Sequence, residues 1–243
     1  MSTLTQPKSS PKPDSGRIPP LQNGDHLTAD EFERRYHAMP HVKKAELIEG
    51  VVYMPSPVTH TYHGNPHFNF IGWLNNYTMF TPGVEGGDNG TLKLDLDNEP
   101  QPDAYLIIRP DHGGQVQIDQ GGYIVGGAEL VGEVSASSVS IDLHGKFRAY
   151  RRNGVREYVV WRVFDQAVDW FILRNEQFER LALGNDGLYR SQIFPGLCLD
   201  PAALIKGESL KLHQLIIQAV NTPEHAAFVA HLQQAAAHAA RPS

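Results

Sequence analysis

The chain has 243 residues, 41% hydrophobic and 20% charged, with a formal net charge of -6 and one cysteine, Cys198. That length holds one sizeable domain or two small ones, the single cysteine excludes a disulfide framework or a cysteine-built zinc site within the chain, and the negative balance means that nucleic acid needs a local basic patch. No run approaches the roughly 18 apolar residues of a membrane span, and MSTLTQPKSSPKPDSGRIPP has no signal-type apolar segment, so the expectation is a cytoplasmic protein with no membrane partner.

Residues 1–25 are rich in Pro, Ser, Lys and Gly. They are expected to form a disordered tail, because they bury too little apolar area to offset ordering entropy. Thr28 and Glu31 have the capping-box spacing and predict a short helix through Arg35. In AELIEGVVYMP two short apolar runs flank Glu49-Gly50, which predicts a hairpin with a tight turn. In HTYHGNPHFNFIGWLNNYTMF, Asn65 as N-cap and Pro66 at the first position open a long helix. Phe70, Ile71, Leu74 and Tyr77 then follow helical spacing. TLKLDL and DAYLII read as two strands joined by the turn DNEPQP. The strand LVGEV, a helix over 139–152 and the strand EYVVWRV come next, and such a unit normally joins parallel strands. VDWFIL and QFERLAL suggest a further hairpin, and residues 208–240 read as helical. The element order predicts a mixed α/β fold with one central sheet flanked by helices. The division is a tail (1–25), a main domain (26–205) and a C-terminal helical extension (206–243), the last a candidate homodimer element.

Asp103 opens the apolar run of QPDAYLII, and Glu133 interrupts LVGEV near its end. A buried carboxylate is costly unless it is paired or bound to a metal. Two strand-borne carboxylates at one end of a sheet could hold Mg²⁺ with water in the remaining positions. Asp103 after Pro102 reads equally well as a turn residue, and Glu133 as an exposed strand end or a partner for an arginine. Asp142 and Lys146 stand at i and i+4 on the following helix. By itself that is a salt pair worth about 0.2–0.5 kcal/mol, but its start should point back toward Glu133. Leu143, Phe147 and Tyr150 form the apolar stripe of this helix. Arg148, Arg151 and Arg152 share another face: a solvated face, or a contact for phosphate backbone.

The ordered pattern ELIEG, MPSP with a following His, QPD, LVGEV-SASS, D-L-H-G-K and Y-RRNGVREYVVW resembles the Uma family of restriction-endonuclease-like proteins, within the PD-(D/E)XK nuclease superfamily. The resemblance covers about residues 26–205. It implies a restriction-endonuclease-like α/β core and a Mg²⁺ (or Mn²⁺) dependent endonuclease acting on DNA, with Asp103 and Glu133 as metal ligands. The superfamily lysine falls two residues after the second carboxylate, where this chain has Ser135. Serine lacks the positive charge expected to stabilise the transition state, so Lys146 is the expected substitute. Glu46 is the expected additional carboxylate, since strand alternation could turn it inward, and Glu49 beside Gly50 reads as a turn residue. His63 matches the family's helix-start histidine and could approach phosphate.

His63 and His67 have zincin spacing, but HGNPH lacks the glutamate and Pro66 should leave His63 outside the helix. GGDNGTLK lacks the Gly-Lys-Ser/Thr ending of a phosphate loop, so no nucleotide cofactor is expected. Cys198 reads as a small core residue. The competing functional reading is a catalytically inactive interaction or nucleic-acid-binding module, which has lost the chemistry along with the lysine at position 135.

Overall fold

The structure, a computed structural model, describes residues 18–55 and 57–240. Its centre is a six-stranded mixed sheet in the order β11-β10-β9-β8-β5-β3. These strands are β3 (Val84–Gly87), β5 (Ala104–Ile108), β8 (Leu130–Ser135), β9 (Glu157–Arg162), β10 (Ala167–Arg174) and β11 (Gln177–Arg180). Only β8 and β9 run parallel; the other neighbours are antiparallel. Smaller pairings are the hairpin β1 (Glu46–Ile48) and β2 (Val51–Tyr53), the group β4 (Leu92–Lys93), β6 (Gln117–Ile118) and β7 (Ile124–Val125), and the pair β12 (Tyr189–Arg190) and β13 (Cys198–Leu199). The helices are α1 (Ala29–His37), α2 (Asn65–Thr78), α3 (Phe147–Arg152), α4 (Pro201–Ile205), α5 (Ser209–Val220) and α6 (Pro223–Ala239). No helix of the described residues is long and apolar enough to cross a membrane.

The central strands are apolar on both faces because both faces are covered. One face carries Ala104, Leu106, Leu130, Val134, Val159 and Trp161 into a core shared with α2, α5 and α6. The other carries Ile107, Val131, Tyr158 and Val160 against Tyr150 of α3. A third cluster, around Leu21, Phe32, Leu47 and Val52, joins α1 to the β1–β2 hairpin.

Most predicted elements form. At the β1–β2 turn Glu49 and Gly50 both have positive φ (52° and 74°), as the tight turn of a two-residue hairpin requires. Several details differ. Thr28 precedes α1 without a side-chain cap, and the Glu31 carboxylate, which a capping box would turn back to the N-cap, is held by Arg34 and Arg35 on the same helix. TLKLDL does not pair with DAYLII: β4 joins β7 in parallel, and β5 pairs with β3, whose glycine-rich VEGG has little strand propensity of its own. The predicted tail of residues 1–25 lies mainly outside the described residues, yet Leu21 within it is buried and Gly24 N–H donates to Val52. The C-terminal helices are not an appendage, since Leu212, Ile216, Val220 and Leu232 belong to the main core.

Two helical runs begin as wide π-turns. His60–Gly64 leads into α2, with Thr59 Oγ1 accepting from Tyr62 N–H. His63 therefore lies inside the helical run, not outside it. Proline ends an α-helix because it lacks the N–H and crowds the preceding turn; the wider turn lets the run pass through Pro66. Ile141–Lys146 leads into α3. The predicted helix over 139–152 is thus one run with a π-turn at its head, a distortion often found at functional sites.

Candidate active site

Antiparallel pairing of β5 and β8 sets Ala104 opposite Gly132. That register brings Asp103, just before β5, beside Glu133 near the end of β8. The Asp103 N–H donates to Glu133 Oε2 over 3.4 Å, and Val134 N–H donates to Asp103 Oδ2 over 2.8 Å. The close approach of α2 to β8 needs Gly132: a Cβ there would lie 2.3 Å from the Phe70 ring of α2. From the π-turn, Lys146 Nζ donates to Glu133 Oε1 at 3.0 Å and meets Glu46 Oε1 at 2.8 Å. Asp142 Oδ1 is 3.8 Å from the same ammonium. Tyr150 Oη donates to Glu133 Oε1 at 2.9 Å. Glu46 is held by Gln101 N–H at 2.6 Å. Ser135 and Ser138 each donate to Asp142 Oδ2 at 2.6 Å. On the Asp103 side, Lys44 Nζ and His63 Nε2 lie 3.7 and 3.6 Å from Oδ1.

Burial dominates the electrostatics. It pushes Glu133 up to about 8, against the pull of Lys146. It raises Asp142 too, again opposed by Lys146 and by the two serine hydroxyls. For Lys146 burial alone would favour the neutral amine, but Glu133, Glu46 and Asp142 outweigh it and hold the ammonium well above its ordinary value. Burial and the neighbouring Glu133 also raise the Tyr150 phenol, which stays a donor. The constellation thus sets four carboxyl groups against two lysines. Among the described residues no group of three or more His, Cys, Asp and Glu side chains is disposed to hold a metal ion. Lys146 is the cation at the centre of Glu46, Glu133 and Asp142.

Residues 29–202 match the model of the Uma2 family, described as "Putative restriction endonuclease". The chain belongs to the Uma2 family. Its fold is also similar to that of "a putative nuclease belonging to DUF820" from Anabaena variabilis ATCC 29413, with a TM-score of 0.54 at 16% identity. The alignment covers 74% of this chain and 98% of that one. No curated protein matches the chain.

Of the residues singled out in this Uma2 sequence, Asp103, Glu133, Lys146, Glu46 and His63 come together at one end of the sheet. Glu46 points to Lys146 and Glu49 occupies the hairpin turn, which separates the two glutamates of ELIEG. The three arginines do not join them. Arg148 and Arg152 reach Glu49, Arg152 also reaches Asp95, and Arg151 bonds Gln177. Their face meets acidic loops rather than an open anion site. His63 and His67 stack at 5.4 Å, with His63 Nδ1 3.2 Å from Val134 O and His67 Nε2 2.7 Å from Asp103 O. Sequence reading missed Lys44 and Tyr150. Lys44 lies two residues before Glu46, so the alternation that turned Glu46 inward also pointed to Lys44. Tyr150 was absorbed into the apolar stripe, which its ring obeys while its hydroxyl serves Glu133. The run SASS proves to be a pair of hydroxyl donors for Asp142.

Proposed function

We propose that this Uma2 chain is a divalent-metal-dependent endonuclease that hydrolyses phosphodiester bonds in DNA, with its sheet as a restriction-endonuclease-like core. The observation that carries the reading is the juxtaposition of Asp103 and Glu133 with Lys146 on the latter's Oε1. Each carboxylate keeps one oxygen without a short donor: Asp103 Oδ1, whose neighbours are beyond 3.5 Å, and Glu133 Oε2, with only the 3.4 Å backbone contact. Hard carboxylate oxygens suit Mg²⁺ or Mn²⁺, and Mg²⁺ is commonly held by one or two carboxylates, water and substrate phosphate. The donor set fits, and Asp103 and Glu133 would hold the ion. When bound, it supplies Lewis-acid polarisation of a phosphoryl oxygen. Lys146 holds Glu133 in place and sets a fixed positive charge beside it, in the role that Ser135 cannot fill. Lys44, on the more open side of Asp103, would meet the phosphate. Preorganised cations of this kind stabilise developing charge without reorganisation.

The test is cleavage of plasmid and oligonucleotide DNA with Mg²⁺ or Mn²⁺ by wild type, Asp103→Asn and Glu133→Gln, alongside calorimetric metal titration. Both variants are expected to lose cleavage, and wild type to bind metal at millimolar or better affinity. Equal cleavage by all three proteins would remove the mechanism. One observation favours a second reading, a catalytically inactive interaction module: the Lys146 ammonium is already enclosed by three carboxylates. Under that reading the titration shows no metal binding.

A further inference from the structure

A cleft of about 320 Å³ opens between the His60–Gly64 turn, the start of α2, the β9–β10 turn and the end of α4. That volume falls at the lower end of the range for small-ligand pockets, roughly 300–1,000 Å³. Its rim carries two exposed aromatic rings, Tyr62 and Phe164, with centroids 4.9 Å apart and planes tilted by 52°. Neither is needed to fill a core. Its polar lining includes the amides Asn65, Asn69 and Gln166 and the cation Lys206. No carboxylate lines it, in a chain of net charge -6. Trp161 also lines the cleft, and its indole N–H is buried without a hydrogen-bond partner among the described residues. The cleft on the arginine side has the opposite character: Glu49, Asp95 and Asp97 line it with Arg152. A polyanion is repelled there and tolerated at the first cleft.

Position joins the cleft to the carboxylates. Tyr62 immediately precedes His63, which lies 3.6 Å from Asp103. Trp161 stands in register with Val134 on the neighbouring strand, and Val134 N–H holds Asp103. Cleft and carboxylates therefore share one end of the sheet.

We infer that this cleft receives an unpaired nucleobase of a single-stranded stretch of the substrate, stacked on Phe164 and Tyr62 while the adjoining phosphate lies toward Asp103. The inference rests on the nuclease reading for its substrate and extends it to strand state. Every base has a π-face, so aromatic platforms bind single strands with little sequence preference. Asn69 is already bonded to Asn65 and Ser209, so the donors and acceptors for a base edge come from Gln166 and the Asn65 N–H groups, and Lys206 adds charge for the backbone. A base within a duplex is stacked and cannot enter without being extruded.

The experiment uses the full chain in EDTA, so that binding is read without cleavage. The probe is a DNA oligonucleotide containing 2-aminopurine, offered single-stranded and as a duplex. Single strand is expected to bind more tightly than duplex, with 2-aminopurine quenched on binding. Phe164→Ala and Tyr62→Ala should each weaken it at least about fivefold, the lower end of base–aromatic stacking, and relieve the quenching. Phe164→Tyr should keep both signals and Phe164→Leu should lose them. Thermal melting confirms the folding of each variant. Duplex binding as tight as single-strand binding, or no effect of either alanine, overturns the inference. So does Phe164→Leu behaving like Phe164→Tyr, which marks a general apolar contact. Cleavage is read separately with metal: stacking without cleavage by wild type sinks the nuclease reading and leaves the cleft, whereas cleavage without stacking does the reverse.

Discussion

Replacing Lys146 by alanine would remove the ammonium that pairs with Glu46, Glu133 and Asp142. Stripping one partner from a buried ion cluster costs about 3–5 kcal/mol, so Lys146→Ala should melt well below wild type as well as cleave poorly. The loss should shrink as pH falls, because the orphaned carboxylates protonate; a loss that does not shrink in acid argues against the ion-pair account. Glu133→Gln keeps an oxygen for Lys146 and Tyr150 and should cost far less, which makes it the cleaner probe of metal binding. Away from the site, burial pushes Glu157 up to about 7, although Ser191 Oγ and Gln192 N–H both donate to it at 2.7 Å. Its folded value exceeds its ordinary 4.5, so the stability it contributes is complete below about 4.5 and lost as pH rises toward 7. A shift of that size is worth on the order of 3 kcal/mol. Glu157→Gln removes the titration while its amide oxygen still accepts from Gln192 N–H, at the expense of the Ser191 contact, whose hydroxyl already accepts from Ile193 and Phe194 N–H, so it should flatten the decline in stability between those pH values. An unchanged pH profile in chemical denaturation would refute this assignment.

Among the elements, the contact of α2 with β8 is set by one missing side chain. Gly132→Ala would drive a Cβ against Phe70, and overpacking of this kind typically costs 1–3 kcal/mol. Because β8 carries Glu133, activity should fall together with stability. Adding Phe70→Leu relieves the clash, so the double variant should be more stable than the sum of the single losses predicts. Additive losses in denaturant melts would show that the strand tolerates the methyl by another route. The π-turns act on the same scale. One aims His63 at Asp103, the other aims Lys146 at Glu133, and each adjusts the phase of a helix without breaking it.

For the molecule as a whole, the site depends on three parts that are distant in sequence: the hairpin with Glu46, the sheet with Asp103 and Glu133, and the helical run with Lys146. The C-terminal helices sit beneath this assembly, with Leu212, Ile216 and Leu232 in the core around Trp73 and Trp170. Removing residues 209–243 should therefore abolish cooperative unfolding, since several buried leucine-sized side chains at about 2–5 kcal/mol each exceed typical domain stability. A truncated chain that still melts sharply would show the helices to be an accessory. Self-association is better read by a concentration series in sedimentation on the intact chain.

The sequence by itself determined most of the elements, because periodicity and turn chemistry are local. It placed the strand-helix-strand unit around Glu133 and the Glu49-Gly50 turn, and it marked Asp103 and Glu133 as charges that an apolar setting would not leave unpaired, while the family resemblance pointed to Lys146 and Glu46. Only the tertiary structure decided the partners. That β5 pairs with the glycine-rich β3 and with β8, and not with TLKLDL, depends on contacts between distant segments. The same holds for Lys44 beside Asp103, for Tyr150 on Glu133, and for the capture of Arg148 and Arg152 by Glu49. A side chain's residue type and spacing give its face, but which charge it meets depends on the register between strands and the phase of a π-turn, and both are fixed by packing across the whole core.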